Sequence, residues 1–143
     1  MSEQENITAA SAFFNAWNAG DLGKATQYEG PDFMVEPPGA PGPLNSEQNR
    51  QYNENFLRAF PGSKFEILLT VVQGDYVVIN WKATGKNAGP LQSPSGATIP
   101  PSGRDAVLVG SSTFLIKNGK IAHGWHFWDM ASLLGQMGLL PPM

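Results

Sequence analysis

The stretch that most limits what this chain can become is its last 27 residues, Lys117 to Met143. Asn118-Gly119 is a tight-turn pair between two β-prone runs, which predicts a hairpin. The run Ile121 to Trp128 is short and aromatic, as strands are. Both histidines of the chain and two of its four tryptophans sit in it. A strand sends alternate side chains to opposite faces. Gly124, His126 and Trp128 therefore share one face, and His123, Trp125 and Phe127 the other. Asp129 then reads as a helix N-cap, with Leu133, Leu134 and Met137 at helical spacing before Gly138 and a Pro141-Pro142 stop.

Upstream, Ile7, Ala10, Phe13, Phe14 and Trp17 recur as one helical stripe that ends near Asn18-Ala19-Gly20. A short helical segment from Asp21 to about Tyr28 is stopped by Gly30-Pro31. Asp32 to Glu36 reads as a short strand, and Pro37 to Leu44 as a loop. A helix capped by Asn45 or Ser46 runs from about Glu47 to Phe60, with Tyr52, Phe56, Leu57 and Phe60 as its apolar stripe. Four long strands follow: Phe65–Val72, Tyr76–Thr84, Arg104–Lys117 and Lys120–Trp128. Gly85 to Gly103 is a long Gly/Pro/Ser connection. The order predicts one α+β domain spanning residues 1–143, a curved antiparallel sheet with helices packed on one face around an internal cavity.

Composition narrows the partners. A net charge of −3 without a basic run excludes nucleic acid and anionic membrane as natural partners. No apolar run approaches the ~20 residues of a membrane helix. The acidic N-terminus is unlike a signal peptide, and with no cysteine in the sequence the expectation is a cytoplasmic protein.

Several motifs, in order and at matching spacing, give the chain a family likeness. Ile99-Pro100-Pro101-Ser102-Gly103-Arg104 resembles the "PPTGR" turn of the SnoaL-like polyketide cyclases. Asn118-Gly119-Lys120-Ile121, Trp125, Asp129 and Leu134-Gly135-Gln136-Met137-Gly138 resemble that family's "DGKI…W…D…RQLG" ending. The likeness covers nearly the whole chain. It implies the NTF2-like cone, a homodimer or homotetramer, and a deep apolar pocket that works without metal or organic cofactor. Characterised members close a ring by intramolecular aldol addition, with an aspartate on the last strand as acid/base. In ungapped register that position is His126, while a pocket histidine of the preceding strand falls at Ser112 and a neighbouring glutamine at Gly110.

These registers set the site expectations. His126 is the candidate acid/base, because imidazole titrates near working pH. Ser112 either donates a hydrogen bond to a substrate oxygen or, like Gly110, makes room. Glu36 at the strand end either pairs with His126, acts as a second base, or is solvated. Trp17, Phe33, Met34, Trp81, Phe114 and Trp128 are the expected wall, with Gly110, for a flat apolar ligand. His123, on the opposite face, is a packing or interface residue. The two histidines point apart, so they cannot share a metal. Val107, Val109, Trp125 and Phe127 predict an apolar outer face covered by a second copy of the chain. The leading function is cofactor-free aldol-type or related proton transfer on an apolar carbonyl compound. The alternatives are a non-enzymatic small-molecule binder and an isomerase or epoxide hydrolase on the same cone.

Overall fold

The computed structural model describes residues 2–93 and 96–139. Helix α1 (Glu3–Asn18) starts at Ser2, whose side chain accepts from the Glu5 amide, and a 3₁₀ segment (Leu22–Tyr28) follows. Strand β1 (Glu29–Glu36) leads through the proline-rich loop to α2 (Ser46–Ala59). The long strands are β2 (Lys64–Gln73), β3 (Tyr76–Lys86), β6 (Asp105–Lys117) and β7 (Lys120–Trp128). A two-residue hairpin, β4 (Leu91–Gln92) with β5 (Thr98–Ile99), lies in the β3–β6 connection, and α3 (Met130–Gln136) closes the described chain.

The main sheet has the order β1-β7-β6-β3-β2. β2, β3, β6 and β7 pair antiparallel as expected, but β1 runs parallel to β7. β1 also begins three residues earlier than the expected Asp32. Gly30-Pro31, read as a helix stop, lies inside this strand. Two local facts permit it: β1 is an edge strand, where proline's missing N–H costs no ladder bond, and a Cβ on Gly30 would stand 3.2 Å from the Ile121 carbonyl oxygen.

The end-of-chain reading holds in detail. Asn118 and Gly119 both have positive φ, 54° and 74°, as a type I′ hairpin requires. Asp129 caps α3 through the Ser132 amide at 2.9 Å. The expected stop at Pro141-Pro142 lies outside the described residues. Asn45, rather than Ser46, caps α2, and with Gln48 it forms a reciprocal capping box.

Helix α1 packs on the concave face of the sheet. Ala9 and Ala10 are completely buried there, and their small side chains let the helix approach closely. Around them lie Phe14, Phe33, Val35, Val77, Ile79, Trp81, Phe114, Ile116 and Ile121. A second cluster of Ala59, Phe60, Leu91, Ala106, Leu133 and Met137 joins α2, α3 and the long connection at one end. Asn87 roots that connection. It is fully buried, yet its amide donates to Ala59 and Gly89 carbonyls and accepts from the Ser102 N–H, all within 3.1 Å. A buried polar side chain with every group satisfied stabilises a single loop geometry.

Gly110 on β6 is required by a neighbour rather than by a turn. Trp81, its partner on β3, lays its indole over this position. A Cβ at Gly110 would stand 2.3 Å from Trp81 Cζ2 and 2.8 Å from the Phe127 carbonyl oxygen. Gly110→Ala is therefore expected to displace the indole and destabilise the protein by about 1–3 kcal/mol. A chemical-denaturation midpoint lowered without a change in slope would register it.

Candidate active site

The concave face holds a cavity with two adjoining lobes, roughly 770 and 1070 Å³ of atom-free space, part of it open to solvent. Phe13, Asn53 and His126 line both lobes and so stand at their junction. The first lobe is aromatic: Trp17, Phe56, Phe60, Phe65, Trp81 and Trp128 surround it. The second runs along β1 and β7 past Phe33, Val35, Phe114, Ile121 and Gly124, and ends among polar groups of the 3₁₀ segment and α2.

His126 reaches this junction because parity on β7 works as the sequence indicated. Gly124, His126 and Trp128 face inward, while Phe127 on the other face is 64% exposed. The imidazole sits between Phe13 and Phe114, with ring centroids 5.8 and 5.7 Å away. What surface it retains borders the cavity. Burial among these rings lowers its pKa from the ordinary 6.5 to about 4, so the ring is neutral at physiological pH.

A short polar chain holds the ring. Trp81 Nε1 donates to Ser112 Oγ at 2.9 Å, and Ser112 Oγ lies 2.6 Å from His126 Nδ1. Ser112 is fully buried, on β6 directly opposite both Ile79 and His126. The indole N–H can only donate, so it occupies a lone pair of the hydroxyl. Among the described residues the only other partner of Ser112 Oγ is Nδ1, so the hydroxyl proton is assigned to that bond. The imidazole proton then resides on Nε2, at the cavity surface. Asn53 adds a second polar group: its side-chain amide borders both lobes and has no hydrogen-bond partner among the described residues.

The remaining expectations divide. Trp17, Phe33, Trp81, Phe114 and Trp128 line the cavity. Trp17 also donates to Ser63 at 3.0 Å, and Trp128 packs edge-on against Phe56. Gly110 does not reach the cavity surface, since the Trp81 ring covers it. Met34 is not a wall residue: Phe33 and Val35 face inward, and a strand cannot turn adjacent side chains to the same side. Glu36 shares Met34's parity and points away from His126. It pairs instead with His123, whose Nε2 lies 2.6 Å from Glu36 Oε2, and His123 stacks on Trp125 with centroids 4.3 Å apart.

The sequence reading missed Asn53, Phe56, Phe60, Phe65 and Phe13 as lining residues. Asn53 and Phe56 on α2 and Phe60 at its C-cap follow one helical spacing (i, i+3, i+7), and that spacing was the available signal. Among the described residues no three His, Cys, Asp or Glu side chains are grouped to hold a metal ion.

Comparison with known proteins agrees with this geometry. Residues 7–137 match the family described as SnoaL-like polyketide cyclase. The chain belongs to that family. No curated protein matches the sequence. Among solved structures, AclR from Streptomyces galilaeus, assigned as a hydroxylase, superposes with TM-score 0.85 at 22% identity, covering 99% of this chain and 86% of AclR. A protein from Jannaschia sp. CCS1, assigned as a SnoaL-like polyketide cyclase, gives 0.83 at 22%, covering 99% and 98%. TerC, co-crystallised with polyporic acid, gives 0.69 at 18%, covering 94% and 98%. At these identities the likeness establishes the NTF2-like fold of the SnoaL-like proteins, with its curved sheet and N-terminal helices. No helix among the described residues is long and apolar enough to cross a membrane.

The lowered pKa of His126 makes stability depend on pH. Between about 4 and 6.5 the unfolded chain binds a proton that the folded chain does not. Stability therefore rises with pH through that window, is complete above it, and is lost on acidification by up to roughly 3 kcal/mol. His126→Gln is expected to flatten this contribution, read as a smaller difference between urea midpoints at pH 7 and pH 5.

Proposed function

We propose that this SnoaL-like protein is an enzyme that moves a proton between carbon and oxygen on an apolar carbonyl compound, in the manner of an aldol-type ring closure. The observation that carries this reading is the Trp81–Ser112–His126 chain, which fixes one neutral imidazole in the wall of a largely aromatic lobe. The wall of flat aromatic rings suits a flat, polycyclic substrate. The crystallisation of TerC, a fold relative, with polyporic acid supports that class.

The net reaction of such a closure breaks one C–H bond beside a carbonyl, forms one C–C bond, and leaves the proton on the new hydroxyl. Nε2 of His126 can carry that proton. With Nδ1–H donated to Ser112 Oγ, the Nε2 lone pair takes the proton from carbon, and the imidazolium returns it to the alkoxide. The resting arrangement presents Nε2–H, which can hydrogen-bond the acceptor carbonyl and stabilise the charge that develops on oxygen. Switching to the base form leaves the Ser112 hydroxyl proton unpaired, at a cost of about 1–3 kcal/mol. That cost is small beside a full acid/base contribution of roughly 10²–10⁴ in rate. Water exclusion by the rings keeps the imidazole neutral and available down to about pH 4.

The test uses aromatic β-keto esters in D2O, following deuterium uptake at the activated carbon by NMR. The wild type is expected to accelerate exchange, with a rate that falls on acidification toward the depressed pKa of His126. His126→Gln is expected to lose at least about 100-fold while remaining folded. Equal exchange in that variant removes His126 from the chemistry. Tight binding without any accelerated exchange leaves a binding protein.

A second copy of the chain is the proposed partner. The convex face of the sheet exposes Leu69, Val71, Tyr76, Val107, Val109 and Phe127, each at least 48% accessible. β-strand parity puts all six on one face, and a two-fold axis would bury the patch against itself. Val109→Asp is expected to halve the mass seen by sedimentation; an unchanged mass rejects this face as the contact.

A further inference from the structure

The far end of the second lobe contains polar groups that the proton-transfer chemistry does not use. Asn49, on the first turns of α2, is only 8% exposed and lines this lobe. Its side-chain amide has no hydrogen-bond partner among the described residues. Its polar atoms are not sealed in, since the one fully buried side-chain atom without a partner among the described residues is Asn6 Oδ1, so the amide reaches the surface of the lobe and is open to a bound group. Glu29, at the start of β1, lines the same end and accepts a hydrogen bond from the Ser46 hydroxyl.

The position is informative. Glu29 pairs with Ile121 on β7, and His126 lies five residues further along that strand. At ~3.3 Å per residue the two ends of the lobe are about 16 Å apart at the backbone. Phe33, Val35, Phe114 and Gly124 form the apolar stretch between them.

We propose that Asn49 and Glu29 form a second recognition site, which holds a neutral hydroxyl or carbonyl group at the far end of an elongated apolar substrate whose reacting end lies at His126. This rests on the reading of the cavity as a substrate site. A neutral group is favoured over an anion by the local charges. Glu29 and Glu47 both line this end, and the Arg50 guanidinium is engaged by Glu54 at 3.2 Å. Burial raises the Glu29 pKa, with the Ser46 hydrogen bond and nearby Arg50 only partly opposing it, so the carboxyl is also drawn toward its uncharged, donating form. Asn49 offers both a donor and an acceptor.

The experiment titrates the protein with 2-acetylanthracene and with its 6-hydroxy derivative, following quenching of tryptophan fluorescence. The two ligands share the ketone for His126 and differ only at the distal end. The hydroxylated ligand is expected to bind about tenfold tighter, the value of one added hydrogen bond. That ratio should fall to near one in Asn49→Leu and in Glu29→Leu. Equal binding of both ligands by the wild type overturns the second site even if neither variant folds. So does a preference that survives both substitutions, and in either case the cavity remains the substrate site. Failure of the wild type to bind either ligand overturns the cavity reading, and the second site with it.

Discussion

Everything at the centre of this protein depends on one hydrogen-bonded hydroxyl. Ser112 is fully buried on a central strand, and its oxygen is approached from one side by the Trp81 indole and from the other by the His126 ring. None of the three would be tolerated alone in such an apolar surrounding, where an unpaired polar group costs about 1–3 kcal/mol. Together they are mutually satisfied. The chain also turns three residues from three adjacent strands into one rigid unit, because β3, β6 and β7 are neighbours in the sheet. A glycine at position 110 completes it by leaving space for the indole.

That unit explains how a SnoaL-like cone accommodates a histidine at the centre of its cavity. A carboxylate buried among phenylalanines is pushed toward protonation, whereas an imidazole is pushed toward neutrality. Here the surrounding rings keep His126 uncharged, with one nitrogen committed to Ser112 and the other at the cavity. The same rings that lower its pKa form the surface against which a flat substrate would lie. The protonation state of the ring and the shape of the cavity beside it are therefore set by the same side chains, Phe13 and Phe114.

Much of this was legible in the chain because it rests on short-range rules. Strand period alone separated His126 from His123, and the Asn118-Gly119 turn fixed where that period starts. The departures arise where the rule was local but the cause was not. Gly30-Pro31 looked like a breaker, yet an edge position beside β7 makes it acceptable within a strand. Met34 was expected in the wall and Glu36 at the cavity from its place at the strand end, but with Phe33 and Val35 facing inward, strand parity turns both outward, opposite His123 and Trp125 of β7. Asn49 was unreadable as a site residue and Asn53 was marked only by its helical line with Phe56 and Phe60, since polar positions on an amphipathic helix ordinarily face water. Only the packing of α2 over the open end of the sheet encloses them.

The long connection between β3 and β6 has a different consequence. Its base is pinned by Asn87, which ties it to the end of α2, to Ser102 and to Arg104. Further out, the two-residue strands β4 and β5 put Leu91 in the core and Ile99 against it, and the Gln92 backbone is held by Asn55 of α2. Insertions or deletions between Gln92 and Thr98 would therefore leave the anchor in register. Such a rim can diversify over evolutionary time, exploring new entrances to the chamber while the imidazole beneath stays where it is.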